Sequence, residues 1–82
     1  GGRKRPPAEV NDNFDLDSEP ITRDDQIAYG ATFVRKLNDA TNRDDRIDLV
    51  KRHRDAISNL DAKLITRIKE QAQRHDIDID KV

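Results

Sequence analysis

Along the middle of the chain, Ile27, Ala31, Val34 and Leu37 recur at i, i+4, i+7 and i+10, the spacing that places one apolar stripe on an α-helix. Thr22 followed three residues later by Asp25 approximates a capping box, so the pattern predicts a helix from about Arg23 to Asp39. Tyr29 and Phe33 lie slightly off that stripe and widen it. Gly30 sits inside the helix at a cost of about 1 kcal/mol relative to alanine, unless a neighbouring helix packs close against it.

Two further start signals follow. Either Thr41 or Asn42 can cap a second helix, with Asp44 and Asp45 in its positive first turn. Its stripe is Ile47, Val50 and Ile57, flanked by Leu49, Ala56 and Leu60 and including His53, and it spans roughly Arg43 to Asn59. A third helix, capped by Ser58, Asn59 or Asp61, carries Leu64, Ile65, Ile68 and Ala72 on one face and ends near His75. Connections of a few residues favour antiparallel neighbours, so the expected fold is all-α: a small three-helix bundle over residues 21–76, preceded by a disordered linker.

The flanks read differently. Gly1-Gly2 looks like the scar of a cleaved tag, and Arg3-Lys4-Arg5-Pro6-Pro7 like extended, solvated chain. Between Glu9 and Glu19 five carboxylates surround only Val10, Phe14 and Leu16, without an extended helical or strand period, so residues 1–20 are expected to form a flexible acidic linker. Residues 77–82, Ile-Asp-Ile-Asp-Lys-Val, alternate like a strand that has no partner, and are read as a tail able to fold back onto the bundle.

Composition narrows the functional classes. Of 82 residues, 40% are charged and 33% hydrophobic, and there is no cysteine, hence no disulfide framework, thiolate nucleophile or Cys-type zinc site. That fits an intracellular setting. No apolar run approaches the ~20 residues of a membrane span, so no membrane partner is expected. The formal net charge of −1 hides an asymmetry: residues 42–76 hold nine Lys/Arg against seven Asp/Glu, and residues 1–26 four against seven. Such a short, polar chain argues against an autonomous enzyme, and no cofactor or metal is expected.

Individual motifs support that reading. His53-Arg54-Asp55 spells the tripeptide of a kinase catalytic loop, but that motif works only in a far longer domain with a glycine-rich phosphate loop. The simpler assignment puts His53 at the edge of the core, with one ring nitrogen bonded to a neighbour. Asp76, Asp78 and Asp80 alternate as at the start of a calcium loop, yet Lys81 stands where that loop needs glycine. Phe14 and Leu16 among aspartates could be a short docking motif anchored by Phe14, against the simpler reading as linker. Arg3-Lys4-Arg5 is a weak basic signal. Lys63, Arg67 and Arg74 share a face of the third helix, with Lys51, Arg52 and Arg54 on the second; without aromatic residues for stacking bases, a solvated face is the simpler reading and nucleic-acid binding a weak alternative.

The segments Phe33-Val-Arg-Lys-Leu37-Asn-Asp-Ala40-Thr41, Asp44-Asp45-Arg-Ile47-Asp-Leu49, Arg54-Asp-Ala-Ile57 and Leu64 to Arg74 resemble the C-terminal region of phage single-strand annealing recombinases of the RecT/Erf kind, over about residues 24–76. Val50 and His53 stand where such segments often carry an aromatic residue. The resemblance implies that annealing chemistry belongs to a larger N-terminal domain, and that this bundle docks another protein: the acidic tail of a single-stranded DNA-binding protein, or a partner exonuclease. A shallow apolar notch rimmed by Lys51, Arg52, Arg54, Lys63, Arg67 and Arg74 would suit such a tail. The alternatives are a small bundle contacting the DNA backbone, and a regulatory interaction domain unrelated to DNA.

Overall fold

A computed structural model describes residues 12–82; Gly1-Gly2, the Arg3-Lys4-Arg5 tripeptide and Val10 lie outside the described residues. Three helices form: α1 (Arg23–Asp39), α2 (Arg43–Ser58) and α3 (Ala62–Gln73). No strand occurs among the described residues.

Each helix begins where a side chain can satisfy the free N–H groups of its first turn. The Thr22 hydroxyl accepts from the Asp25 N–H at 3.0 Å while the Asp25 carboxylate accepts from the Thr22 N–H, which completes the capping box. Asn42, not Thr41, caps α2, its side-chain oxygen accepting from the Asp45 N–H at 2.8 Å. Asp61 caps α3 by accepting from the Lys63 N–H. The end of α1 is held from outside: Arg46 on α2 donates to the carbonyls of Leu37 and Ala40, at 3.2 and 2.7 Å. A cation there also complements the negative end of the helix dipole.

The end of α3 is a Schellman motif. Ile77 N–H donates to the Ala72 carbonyl and Asp76 N–H to the Gln73 carbonyl, with Asp76 in the left-handed region at φ 60°. This reversal swings residues 77–82 back over the bundle, where Ile77 and Ile79 are buried. Asp78 accepts from the Asp80 N–H, and Asp80 pairs with Lys69 at 3.1 Å, so the tail's aspartates serve turns and an ion pair.

The helices pack around α1, which meets α3 along much of its length and α2 over a shorter stretch. The core is Tyr29, Phe33 and Leu37 from α1, Val50 and Ile57 from α2, Leu60, Ile68 and Ala72 around α3, and Ile77 and Ile79 from the tail. Two expectations are corrected here. Of the stripe Ile27, Ala31, Val34 and Leu37, only Leu37 is fully buried and the other three are half-buried, whereas Tyr29 and Phe33, placed at its margin by periodicity, are fully enclosed. Large aromatic rings remove the most apolar area from water, so they take the interior position.

Nor do residues 12–20 form a linker. Leu16 is 5% exposed and belongs to the core cluster. Phe14 packs at 6.0 Å from the Tyr29 ring, its N–H donates to Thr32 Oγ1 at 2.8 Å, and the Tyr29 hydroxyl donates to the Leu16 carbonyl at 3.0 Å. The acidic segment is thus an arm docked on its own bundle, Phe14 and Leu16 being its apolar anchors. Its aspartates stay outside: Asp15 and Asp17 are exposed.

Candidate functional site

Because the aromatic face of α1 is closed by the arm and α2, its second apolar face is left to α3, which covers it incompletely. A groove of about 530 Å³ runs between α1 and α3. Ile27, Gly30, Ala31 and Val34 of α1 and Leu64 and Ile68 of α3 form its apolar floor; Asp12, Arg35, Asn38, Asp39 and Arg67 stand at its rim. The size falls within the range of sites that bury a ligand or a few side chains of a partner.

The rim is partly locked. Arg35 donates through Nε to the Asp12 carbonyl at 3.0 Å and pairs with the carboxylates of Asp12 and Asp39 at 3.4 and 3.2 Å, clamping the start of the arm to α1. At the other side Asn38 Oδ1 meets His75 Nε2 at 2.9 Å, joining α1 to the turn after α3. Arg67 has no ion-pair partner among the described residues, and because Asp12 and Asp39 share the single guanidinium of Arg35, the four rim charges sum to zero.

Of the six cations expected around a notch, only Arg67 lines this groove. Lys63 and Arg74 are exposed on α3 outside its lining, and Lys51 is exposed on α2. Arg52 is engaged with Asp48 at 3.3 Å, one turn away on the same helix. Arg54 is half-buried, with Nε and Nη2 shielded from solvent and lacking an acceptor, so it is not a rim residue. The other five do not line the α1–α3 groove. Arg35, which shapes the rim, is flagged in the sequence only by its i,i+4 spacing to Asp39.

His53 is buried and meets Tyr29 and Phe33 edge-on, both at 6.4 Å. Its ring nitrogens make no hydrogen bond to a described residue, contrary to the expected bonded neighbour, and burial is the main cause that pulls its pKa below 6.5. Near neutral pH it is an uncharged part of the aromatic core. Burial, and next the nearby Asp17 charge, push the Tyr29 phenol up to about 12, so it stays a neutral donor to the arm.

A second cleft, of about 500 Å³, lies between the arm and the end of α2, with Leu16, Pro20, Ile21 and Ala56 as its apolar part and Asp17 and Glu19 as its charges. Ile21 is 72% exposed. No cluster of His, Asp and Glu able to hold a metal ion occurs among the described residues, and no described helix is long and apolar enough to cross a membrane. The chain matches no family model, no curated protein sequence and no solved structure.

Proposed function

We propose that this chain is a non-catalytic docking domain of a DNA recombination or single-strand annealing protein, and that the α1–α3 groove receives an acidic segment of a partner protein, such as the tail of a single-stranded DNA-binding protein. The observation that carries the docking reading is the half-covered face of Ile27, Ala31 and Val34 beside the exposed guanidinium of Arg67, which makes no ion pair with a described residue. Apolar side chains in an open groove favour a partner that covers them, and a free guanidinium at the rim favours a carboxylate on that partner. The recombination setting is drawn from the resemblance of the helical segments to RecT/Erf-type C-terminal regions. A non-catalytic role agrees with the placement of His53 as a neutral core residue and of the tail aspartates in turns.

Titration of the isotope-labelled domain with an acidic hexapeptide containing one phenylalanine, and separately with a single-stranded oligonucleotide, tests this reading. Peptide-induced shifts confined to the groove, abolished by Arg67→Glu, are the expected result. Shifts with the oligonucleotide alone, along the exposed lysines and arginines of α2 and α3 and falling steeply with salt, would replace docking by backbone binding to DNA. Silence toward both probes would remove both readings.

A further inference from the structure

The cleft between the arm and the end of α2 collects negative charge from three sources. Asp17 and Glu19 line it, both exposed, and neither carboxylate pairs with a described cation. The third source is the C-terminus of α2, which reaches the cleft through Ala56 and Asn59 and carries the negative end of the helix dipole. The other two helix ends are met by cations: Arg46 donates to the Leu37 and Ala40 carbonyls at the end of α1, and Arg43 to the His75 carbonyl in the turn after α3. The last turn of α2 holds no basic residue, and no described lysine or arginine donates to its carbonyls. None lines the cleft either, so both of its charges are negative.

Apolar surface adjoins that charge. Ile21 stands exposed beside half-buried Pro20 and Ala56, with Leu16 beneath them. Its backbone is fixed, because the Ile21 N–H donates to the Asp25 carboxylate at 3.3 Å just ahead of α1. The volume, about 500 Å³, has room for one aliphatic side chain and the stem of a neighbouring lysine or arginine.

We infer that this cleft binds a basic segment of a partner protein: an aliphatic side chain packs on Ile21, Pro20 and Ala56, and a lysine or arginine next to it in sequence lies between Asp17, Glu19 and the end of α2. Charge complementarity selects the occupant. An acidic segment would meet two carboxylates and a helix C-terminus, and a neutral one would leave all three without a counter-charge. The cleft shares no lining residue with the α1–α3 groove and favours the opposite charge, so the inference stands independently of what the groove docks.

The test titrates the isotope-labelled 82-residue chain with a blocked hexapeptide carrying leucine between two lysines, and with a second peptide in which glycine replaces the leucine. Expected are shifts at residues 16–21 and 56–59 that fade as salt rises, and binding about ten-fold weaker for the glycine peptide. The double variant Asp17→Asn, Glu19→Gln should bind about three-fold or more weakly, and Ile21→Ser should weaken binding too, with melting temperatures unchanged at these exposed positions. Arg67→Glu, in the other groove, should bind the basic peptide as wild type does. Equal binding of the two peptides would reduce the cleft to diffuse attraction of cations and overturn the apolar seat. Shifts elsewhere, or an affinity of the double variant within about two-fold of wild type, would overturn the site. A dimer in sedimentation that Ile21→Ser dissolves would make a second copy the occupant. Tighter peptide binding after Arg3→Glu, Lys4→Glu and Arg5→Glu would assign the cleft to the chain's own basic residues, and either result overturns a partner protein. No binding at all would remove the inference while leaving the groove, which the acidic peptide probes, untouched.

Discussion

Replacing Leu16 by alanine separates a docked arm from a linker. Leu16 is 5% exposed and shares the core cluster with Tyr29, Phe33 and Ile57. Truncating a leucine in such surroundings costs about 2–5 kcal/mol through lost transfer energy and the cavity left behind. Here a second limit acts. The arm is tied to the bundle by few hydrogen bonds, chiefly Phe14 N–H to Thr32 and the Tyr29 hydroxyl to Leu16. Once the penalty exceeds the free energy of docking, the arm detaches, and the loss saturates at that free energy. The expected cost is therefore near the lower end, about 2–3 kcal/mol, a large fraction of the roughly 4–10 kcal/mol available to a domain of this size.

Urea unfolding followed by far-ultraviolet circular dichroism, with hydrogen exchange of the Phe14 amide, measures both quantities. The midpoint should fall by the equivalent of that cost, and the melting temperature by roughly 10–20 °C. Deletion of residues 1–19, which leaves the Thr22 cap in place, sets the ceiling and should cost at least as much as Leu16→Ala. Glu19→Ala, at an exposed arm position, should change stability by less than about 0.5 kcal/mol. A loss below about 0.5 kcal/mol for Leu16→Ala, together with an unprotected Phe14 amide, would refute the arm's place in the core.

Other perturbations probe the same structure at separate points. Tyr29→Phe removes the donor to the Leu16 carbonyl and should cost about 1 kcal/mol. Because the phenol's pKa rises from 10.0 to about 12 on folding, the stability it confers is complete below pH 10 and lost between pH 10 and 12. Denaturation midpoints across that window should fall for wild type and fall less for the variant. His53 titrates below 6.5 in the fold, so the unfolded chain takes up its proton first. Stability should thus be flat above pH 6.5 in respect of this group and decline below it, and His53→Leu should flatten the decline. Asp76→Gly relieves a left-handed non-glycine residue in the Schellman turn and should raise stability by about 1 kcal/mol, read as a higher melting temperature.

The parts legible in the sequence are those governed by neighbours along the chain. Capping at Thr22 and the start of α2 need only a side chain and an N–H within three residues, and Asp44 and Asp45 mark the latter for the same reason. The docked arm reads as linker, and the tail only as able to fold back, because their apolar residues, Phe14 and Leu16 in one and Ile77 and Ile79 in the other, alternate with acids like a strand that has no partner. Their burial is decided by surfaces made of α1, α2 and α3 together, which no local window contains. The left-handed Asp76 that turns the tail back likewise follows a helix end where glycine would be the usual signal. At the site, Arg67 was legible as part of a charged face, while the absence of Arg52 and Arg54 from the groove it lines was not. Helical spacing states which residues share a face, but not that Asp48 already engages Arg52 or that two nitrogens of Arg54 are sealed away.

The division of α1 into two apolar faces joins these observations. Tyr29, Phe33 and Leu37 fall at i, i+4 and i+8, and Ile27, Ala31 and Val34 at i, i+4 and i+7, so both sets satisfy a helical period and pattern alone cannot rank them. The aromatic face is sealed by α2 and by an arm that brings its own phenylalanine and leucine. The aliphatic face has only α3, and Gly30 thins it further at the point where Leu64 and Ile68 approach. A chain that docks an acidic segment bearing Phe14 and Leu16 on one face of α1 thereby displays, within one molecule, the kind of ligand assigned to the other. The arm's anchors are apolar, its carboxylates remain in solvent, and Arg35 holds Asp12 at the edge where the groove begins. The two faces differ in that the first ligand is covalently attached. On the proposed docking reading the second comes from a partner protein, and the half-covered groove is the surface it would cover.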